Sequence, residues 1–404
     1  MSWTDFSINS VAEVVTKGTT PTTYGMPFTE EGVNFIKAEA LNGDATLDNN
    51  GFTYISEDTH EKLKRSQLCV NDVLITIAGA NVGKCGIVRE QHIPANTNQA
   101  VGIIRVDPKK ASPRFIYYCF KNPRTFAVCQ GMGGQAAQPN INLTVLKSFV
   151  FSGPENPEEQ EKIAELIAKY DDLIENNRRR IQLLEESARL LYQEWFVHLR
   201  FPGHEQVKIT DGIPEGWEKK PLTAIAEVNQ ISLKKGFDER IEYIDISCVS
   251  THSISDTTWY EFSEAPGRAR RIVKHRDILW SCVRPNRRSH VLVWEPHDRL
   301  IASTGFAVIS ATQVSPFFLY QSLTTNDYVG YLTNRAGGAA YPAVTAKVFE
   351  ESLVLVPSRK LIEQYDDQVK NTYAQINMLQ SQNVKLAQAR DLLLPKLMSG
   401  ELTI

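Results

Sequence analysis

A glycine loop at Gly79–Cys85 comes nearest to a nucleotide-binding motif in this sequence. A phosphate loop needs four residues between its first glycine and the Gly-Lys pair, followed by Ser or Thr to bind magnesium. Here three residues separate Gly79 from Gly83, and Cys85 follows Lys84. Because the loop is too short and lacks the metal-binding hydroxyl, the sequence argues against nucleotide hydrolysis.

The sequence lacks the other catalytic motifs that we sought. No GxGxxG follows a strand-like run, and neither HExxH nor GxSxG occurs. The eight histidines do not fall at metal-ligand spacing, and the six cysteines include no CxxC pair, which predicts reduced thiols. An amino-methyltransferase would need an Asn/Asp-Pro-Pro-aromatic segment, which neither Asn122–Arg124 nor Arg284–Asn286 supplies. We therefore expect a non-catalytic chain that binds no metal or cofactor.

Basic residues are concentrated in one short part of the second half of the chain. Eight Lys and Arg residues fall between Arg268 and Arg288, opposed only by Asp277. Arg can donate two hydrogen bonds to guanine O6 and N7, and Asn suits adenine N6 and N7. For any single arginine, an ordinary solvated turn is the alternative interpretation. As a group, these side chains predict DNA contacts from Arg268, Arg270, Arg271, Arg284, Asn286, Arg287 and Arg288.

Glycine-rich loops in both halves form the second set of candidate DNA-binding segments. Residues 130–140 and their counterpart, residues 334–342, combine glycines with Gln, Asn and Tyr. Glycines let a backbone approach a partner closely, and amide or phenol groups can donate and accept hydrogen bonds. A purely structural turn is the alternative. Together with the loop at Gly79–Cys85, these segments predict DNA contacts from Asn81, Lys84, Gln135, Gln138, Asn140 and Tyr341.

The chain repeats its own sequence once, and the repeat defines the elements that must position these loops. Ala12–Val14 recurs as Ala226–Val228, and the strand-like run Asn71–Thr76 recurs as Arg276–Ser281. Matched segments lie 203 to 214 residues apart, so each copy takes about half of the chain. A period this long indicates duplicated domains and excludes a solenoid of short repeats.

Each copy contains short strands and helices followed by one long polar helix. Asp72–Ile77 and Lys84–Val88 predict two strands on either side of the first glycine loop. Ser112-Pro113 and Ser315-Pro316 each predict a helix start, because Ser caps a helix and Pro suits its first turn. The later glycine-rich loop of each copy is expected to lead directly into an alternating strand. This irregular order favours an α+β fold over an alternating parallel sheet.

Two long helices with coiled-coil periodicity are the second strong feature. Apolar residues recur at heptad spacing in residues 158–198 and again in the C-terminal segment, which predicts a seam on each helix. Each seam includes one asparagine, Asn177 or Asn383, a residue type that selects register at some cost in stability. Intrachain antiparallel pairing is favoured by effective concentration, with homodimerisation as the alternative. The predicted pairing residues are Ile167, Tyr170, Ile174, Ile181, Leu184, Leu191, Trp195, Val369, Ile376, Leu379, Leu386 and Leu393.

The resulting prediction is an α+β protein with two similar domains separated by two long antiparallel coiled-coil helices, related by a pseudo-twofold repeat. The predicted boundaries are 1–154 and 201–356 for the domains, 155–200 for the first helix, and 357–404 for the second helix and tail.

A length of 404 residues with 42% apolar residues can build more than one core. The net charge of −3 is unusual for a nucleic-acid binder. The concentration of positive charge between Arg268 and Arg288 therefore matters more for DNA binding than the net charge of the chain. With no apolar run of about 18 residues and no leader-like start, we expect a cytoplasmic protein.

The order of these motifs resembles that of specificity subunits of type I restriction-modification systems. The resemblance extends over the whole chain, although each motif alone is loose. It rests on Asp72–Ile75, Gly83–Val88, Asn98-Gln99, Gly133–Pro139 and the helix start Glu159-Gln160, and then on Glu363-Gln364 and the ending Leu393–Leu402. In the second half, Arg284–Arg288 replaces the glycine loop that is typical of the family.

The resemblance implies a non-catalytic subunit whose two target-recognition domains read the halves of a bipartite, asymmetric DNA sequence. The paired helices would act as a ruler, and two adenine methyltransferase subunits and the restriction subunits would assemble around them. Those partners would carry S-adenosylmethionine, ATP and Mg²⁺, and they would perform the methylation and cleavage. Leu166, Leu173 and Leu190 lie off the inner seam and are expected to face the partners.

The other function that the sequence allows is a coiled-coil adaptor with two protein-binding domains. A salt titration on duplex DNA separates the two, because phosphate contacts make log K fall linearly with log salt concentration.

Overall fold

The computed structural model describes residues 2–41, 47–131, 140–234, 237–338 and 340–403. These residues form two compact units: unit 1 is Met1–Arg179 with Leu379–Ile404, and unit 2 is Arg180–Met378. The predicted contact residues Gln135 and Gln138 lie outside the described segments. All six cysteines are free thiols. Among the described segments, no helix is both long and apolar enough to cross a membrane.

Unit 1 contains a four-stranded sheet, a three-stranded sheet and a strand pair. Its strands are β1 (Trp3–Ser7), β2 (Ala12–Lys17), β3 (Val33–Ile36), β4 (Phe52–Ile55), β5 (Val73–Thr76), β6 (Cys85–Ile87), β7 (Ala95–Thr97), β8 (Val101–Val106) and β9 (Val150–Pro154). Its short helices are α1 (Ile8–Val11), α2 (Glu57–Lys62), α3 (Pro113–Lys121), α4 (Pro123–Gly131) and α5 (Leu143–Ser148). The sheet orders are β2-β8-β5-β6, β4-β3-β7 and β1-β9, and only the β3–β7 pairing among them is parallel.

Helix α3 shows how the sequence builds the core of unit 1. The Ser112 hydroxyl accepts a hydrogen bond from the Phe115 N–H at 3.1 Å, and Pro113 occupies the first turn, as the sequence predicted. Phe115, Ile116 and Phe120 are buried in the same apolar cluster as Val73 and Ile75 of β5. Burying this face of the helix against the sheet stabilises both elements, since each apolar side chain removed from water contributes roughly 1.5–3 kcal/mol.

Unit 2 repeats this arrangement with additional strands. Its strands are β10 (Ile209–Thr210), β11 (Ile213–Pro214), β12 (Glu218–Pro221), β13 (Ala226–Val228), β14 (Arg240–Ile244), β15 (Val249–Ser250), β16 (Ser253–Ile254), β17 (Thr258–Glu261), β18 (Ala269–Ile272), β19 (Ile278–Ser281), β20 (His290–Leu292), β21 (Leu300–Ser303), β22 (Phe306–Ala311) and β23 (Leu353–Val356). Its short helices are α7 (Pro316–Ser322), α8 (Asn326–Arg335) and α9 (Ala346–Glu350).

The sheets of unit 2 have the same topology as those of unit 1, which confirms the predicted repeat. The order β13-β22-β19-β20 matches β2-β8-β5-β6, and β17-β14-β21 matches β4-β3-β7 with one further edge strand, β18. The central β14–β21 pairing is parallel, as its counterpart is. Ser315 caps α7 by accepting from the Phe317 and Phe318 N–H groups, so the predicted helix start is confirmed here too.

One expectation about the strands is wrong. The later glycine-rich loop of each copy does not lead directly into a strand, because the short helices α5 and α9 come first and β9 and β23 follow them. In unit 1 the Asn142 side chain accepts a hydrogen bond from the Val145 N–H at 2.9 Å. This cap satisfies an amide of the first turn and favours a helix where the alternation of apolar residues indicated a strand.

The long helices are α6 (Pro157–Tyr192), which continues as a π-helical turn over Gln193–Val197, and α10 (Arg359–Met398). Within unit 1, the Arg390 Nη1 lies 2.7 Å from the Asp171 carboxylate, and Asn177 lies 3.0 Å from Asn383. Within unit 2, the Tyr365 hydroxyl donates to the Ala188 carbonyl. Residue numbers rise along one helix as they fall along the other, so the helices pair antiparallel inside one chain.

The seam residues divide by unit. In unit 1, Ile167, Ile174 and Leu379 are buried, Leu393 packs against the core, and Tyr170 and Leu386 are half-buried. In unit 2, Val369 and Ile376 are buried in the core, and four partly buried side chains pack against it: Ile181, Leu184, Leu191 and Trp195.

Candidate nucleic-acid interface

The loop that joins β19 to β20, residues 282–289, carries the densest group of predicted contact residues, and we call it the arginine loop. It contains a single 3₁₀ turn, Pro285–Arg287, and the residues on both sides of that turn have positive φ, 49° at Arg284 and 54° at Arg288. A left-handed conformation costs a residue with a side chain about 1–2 kcal/mol. The loop therefore needs contacts that hold these two arginines in place.

Arg284 is held by the glycine-rich loop of the same unit. Its backbone N–H donates to the Pro342 carbonyl at 2.7 Å, and its Nη2 lies 3.1 Å from the Ala340 carbonyl. Its guanidinium also stacks on the ring of Tyr341, 4.7 Å from the centroid, and Tyr341 itself is 71% exposed. The structure thus brings together the two candidate loops of unit 2, which are more than 50 residues apart in sequence.

Arg288 is held by the start of α8. Its Nη2 donates to the Asn326 side-chain oxygen at 2.5 Å, and its Nη1 lies 3.4 Å from the Thr324 carbonyl. Its own carbonyl accepts from the Thr251 hydroxyl at 2.9 Å. Arg284 and Arg288 therefore fasten the two ends of the turn to the rest of unit 2.

The two residues between these arginines are presented differently. Asn286 and Arg287 are exposed, and in the part of the chain that the structure describes their side chains make no hydrogen bond or ion pair. A guanidinium with all five donors unused, next to an amide, can bind a base edge or a phosphate. Asn286 and Arg287 are thus the members of the arginine loop best placed for an external partner.

A buried polar cluster lies under the arginine loop. The Tyr320 hydroxyl is 2.6 Å from His252 Nδ1 and 3.1 Å from His290 Nδ1, so it can donate to one ring and accept from the other. Burial lowers the pKa of His252 to about 4 and that of His290 to about 3. The sequence analysis missed this cluster, although a histidine at the start of a buried strand, β20, was a signal.

The remaining predicted arginines lie on or next to β18, at the same end of unit 2 as the arginine loop. The Thr304 N–H donates to the Arg268 carbonyl, while the Cys282 N–H donates to the adjacent Gly305 carbonyl, both at 2.8 Å. Arg268 is exposed. By contrast, Arg270 stacks on Phe262 at 4.9 Å. Of these arginines, Arg268 is therefore the one with a freely accessible side chain.

Arg271 has a structural contact of its own, since its Nη1 lies 3.1 Å from the Ser232 hydroxyl. Unit 1 contains a similar contact that the sequence analysis missed: Arg65 Nη2 lies 3.0 Å from the Thr19 hydroxyl. The offset of 205 residues that relates Asn71 to Arg276 relates Arg65 to Arg270, the neighbour of Arg271, so the repeat places Arg65 in the matching segment but does not by itself indicate this contact. Arg65 borders an open concave surface that includes Tyr24, which is 64% exposed.

The candidate loops of unit 1 also lie together. Ala78, in the loop between β5 and β6, forms a β-bridge with Asn140, and the Ile141 N–H donates to the Ile77 carbonyl at 2.8 Å. Asn140 is exposed, and Asn81 and Lys84 are half-buried. In unit 2 the equivalent bridge joins Val283 to Ala343.

Gly83 is required in the unit 1 loop for two reasons. Its φ is +87°, and a Cβ at this position would lie 2.7 Å from the Cβ of Cys129 on α4. The neighbouring Gly79 also has positive φ, but a Cβ there would meet no atom within 4 Å. Of these two glycines, Gly83 is therefore the one at which the loop packs closely against α4.

The long helices carry exposed apolar side chains outside the seam. Leu173 in unit 1 and Leu190 in unit 2 are 50% and 47% exposed, in agreement with their expected position off the seam. Leu166 differs, since it is partly buried against the core of unit 1. Leu183 and Val197, which were not predicted, are 63% and 50% exposed. Leu183 and Leu190 are seven residues apart on α6, so they lie on one face of the helix in unit 2, whereas Val197 lies in the π-helical turn that follows.

Over the described ranges, no group of three or more His, Cys, Asp or Glu side chains is arranged to hold a metal ion.

The structure thus defines a class of proteins with a duplicated α+β domain, a pair of bridged loops in each copy, and two long antiparallel helices. Residues 1–186 match the family described as "Type I restriction modification DNA specificity domain". The chain is 24% identical to the type I restriction enzyme MjaIX specificity subunit of Methanocaldococcus jannaschii, over all of this chain and 94% of that protein. It is 31% identical over 150 residues to the EcoBI specificity subunit of Escherichia coli, covering 36% of this chain and 31% of the relative.

The fold agrees with a solved structure. The crystal structure of a type I restriction-modification S subunit from M. genitalium superposes with a TM-score of 0.58 at 17% identity, covering 98% of this chain and 96% of the other. Residues 1–186 thus match the type I restriction specificity domain, and the sequence likeness to a type I specificity subunit extends over the whole chain.

Proposed function

We propose that the chain is the DNA-sequence specificity subunit of a type I restriction-modification complex and is itself non-catalytic. The observation that carries the proposal is the pairing of candidate loops in both units. In each unit, a loop between two strands of the four-stranded sheet is bridged to a second loop about 60 residues later. The same surface, built twice with different residues, suits a protein that reads two different DNA half-sites.

The chemistry of the two surfaces supports two different targets. Unit 2 offers Asn286 and Arg287, while unit 1 offers Asn81, Lys84 and Asn140. Bidentate Arg–guanine and Asn–adenine pairs each contribute about 1–3 kcal/mol of discrimination against the wrong base. Since the two sets of side chains differ, the two half-sites should differ in sequence, which makes the target bipartite and asymmetric.

The long helices suit the spacing of those half-sites. At 1.5 Å rise per residue, the 36 residues of α6 and the 40 residues of α10 make rods of about 54 and 60 Å. Domains reading one face of B-DNA engage half-sites about 34 Å apart or a multiple of it. Inserting one heptad in both helices should lengthen the unread gap in the target, and an unchanged gap would refute the role of the helices as a ruler.

Two methyltransferase subunits and the restriction subunits complete the proposed assembly. We propose that they dock on exposed apolar positions of the helices, such as Leu173, Leu183 and Leu190. S-adenosylmethionine, ATP and Mg²⁺ would bind to those partners, which would methylate adenine and cleave DNA, while this chain binds none of them.

The decisive experiment is co-expression of the chain with the methyltransferase encoded next to it, followed by single-molecule mapping of methylated adenines. We expect methylation at one bipartite motif. Exchanging residues 180–378 for those of a related subunit should change one half of that motif and leave the other half unchanged. Methylation without a motif, or without dependence on this chain, would refute the proposed function.

A further inference from the structure

A cavity of about 240 Å³, lined in part by two arginines and several other polar side chains, lies beside the arginine loop in unit 2. Arg189 and Gln193, from α6 and the turn that follows it, line one part of this cavity. The arginine loop contributes Arg288, and the segment that leads into α8 contributes Thr324 and Asn326. A water molecule takes about 30 Å³ in the liquid, so the cavity has room for a small polyatomic anion and several waters.

The donors around this cavity are those that proteins use to bind phosphate. The Arg288 guanidinium donates to the neutral oxygens of Thr324 and Asn326, and in the part of the chain that the structure describes it has no carboxylate partner. Thr325 caps α8, a helix of ten residues whose N-terminus therefore lies at the cavity. Arginine and the first turn of a helix both favour an anion.

The second arginine at the cavity, Arg189, is paired with a carboxylate of its own helix. Arg189 forms a bidentate pair with Glu186, with Nε and Nη2 at 2.8 and 2.5 Å from its two oxygens. This pair lowers the pKa of Glu186 and is exposed on both sides. An exposed pair of this kind contributes only about 0–1 kcal/mol, so an incoming phosphate can share Arg189 at little cost. Asp327, in the first turn of α8, lines a neighbouring cavity and not this one.

We propose that this cavity seats one phosphate of the DNA backbone, next to the nucleotide that Asn286 and Arg287 contact. Arg288 would then have two functions, since it fastens the arginine loop and binds the phosphate. Arg189 would bring the long helix α6 itself into contact with DNA. The inference rests on the proposed function. It adds a contact with the DNA backbone that would fix the position of the arginine loop along the DNA.

The test compares four variants of the full chain, assembled with its methyltransferase subunits, by DNA affinity across a range of salt concentrations. We expect Arg189→Gln to weaken binding about tenfold and to reduce the salt slope by about 1, equally for target and non-target DNA. Glu186→Gln should strengthen binding severalfold, because it releases Arg189 from its carboxylate.

The matched controls are Arg359→Gln and Glu363→Gln. They change the same charges in an exposed pair of unit 2, where Arg359 Nε lies 2.9 Å from Glu363. We expect less than about twofold changes from both, since neither residue lines the cavity and exposed charges are screened by salt. If Arg189→Gln behaves as Arg359→Gln does, the phosphate seat is refuted, while DNA binding by the wild type keeps the proposed function intact.

A second measurement tests whether the cavity binds free inorganic phosphate. The melting temperature of the isolated chain is followed against inorganic phosphate, with chloride at equal ionic strength as reference. We expect a rise in the wild type that Arg189→Gln abolishes. A rise that depends on Arg189, combined with DNA binding that does not, would overturn the assignment to the DNA backbone. Failure of both measurements overturns the site altogether.

Discussion

Asn177 and Asn383, the one asparagine on each helical seam, lie opposite each other, and Asn177 Nδ2 donates to Asn383 Oδ1 at 3.0 Å. Asn177 is 7% exposed, so its amide depends on this partner. This hydrogen bond forms only in one alignment of the two helices. Any other register would leave the buried Asn177 amide without its partner, at a cost of about 1–3 kcal/mol.

The first prediction concerns this pair. Asn177→Leu should lower the free energy of unfolding by about 1–3 kcal/mol, because it leaves the Asn383 amide unpaired. The double variant Asn177→Leu/Asn383→Leu should recover that loss, because two apolar residues replace the pair. Urea unfolding of the full chain measures both. A double variant that is less stable than the single one would show that the pair does not act as a unit.

The second prediction separates the two functions within the arginine loop. Arg287→Ala should leave the free energy of unfolding within about 0.5 kcal/mol of the wild type and weaken DNA binding by the assembly, because its exposed side chain makes no hydrogen bond or ion pair in the described chain. Arg288→Ala should lower stability as well, by about 1–2 kcal/mol, because it releases the loop from Asn326 and Thr324. Thermal unfolding and DNA titration measure the two effects. Unchanged affinity and target with Arg287→Ala would remove this residue from the interface.

The third prediction is a loss of stability in acid. The folded-state pKa values of His252 and His290, about 4 and about 3, lie below the ordinary 6.5, so the unfolded chain binds more protons between these values. The histidines' contribution is therefore complete above about pH 6.5 and is lost as the pH falls towards 4. His290→Gln should reduce the slope of unfolding free energy against pH by nearly one proton between pH 4 and 6. A slope equal to that of the wild type would contradict a neutral, buried His290.

The fourth prediction uses two neighbouring glycines as matched variants. Gly79→Ala should cost about 1 kcal/mol, from positive φ alone. Gly83→Ala should cost about 1–3 kcal/mol more, because its Cβ would overlap Cys129 on α4. Chemical denaturation of the two variants measures the difference, and equal losses would show that α4 moves aside without cost.

The repeat and the two long helices could be predicted from the sequence because each is a pattern that recurs over many residues. A few departures from the pattern therefore do not hide it. The helix starts at Ser112 and Ser315 were predictable for a different reason, since a cap is a local interaction within four residues. The short helices α5 and α9 were missed because the glycine-rich loops before them were expected to lead directly into strands. In α5 the Asn142 cap outweighs the alternation of apolar residues, whereas the Thr345 side chain at the start of α9 makes no capping hydrogen bond.

The sequence was sufficient to predict which loops form the candidate interface. It was not sufficient to predict which of their side chains are exposed and which make contacts within the protein. Residue type alone cannot distinguish Arg287, which is exposed, from Arg288, which binds Asn326 and Thr324, because the difference depends on α8 folding back from 36 or more residues away. The same holds for Asp171, which is 1% exposed and bonded to Tyr118 and Arg390. No neighbour in sequence indicates that a carboxylate next to Tyr170 has a buried arginine partner.

The core of unit 1 includes Leu394, Leu397 and Met398, so the first unit is completed only by residues of the C-terminal helix α10. Unit 2, in contrast, is one unbroken stretch of chain. A recombination event with both crossovers inside the long helices would therefore exchange a complete folding unit and leave the other core intact. Such an exchange would replace one folding unit in a single step, without an intermediate in which either core is incomplete.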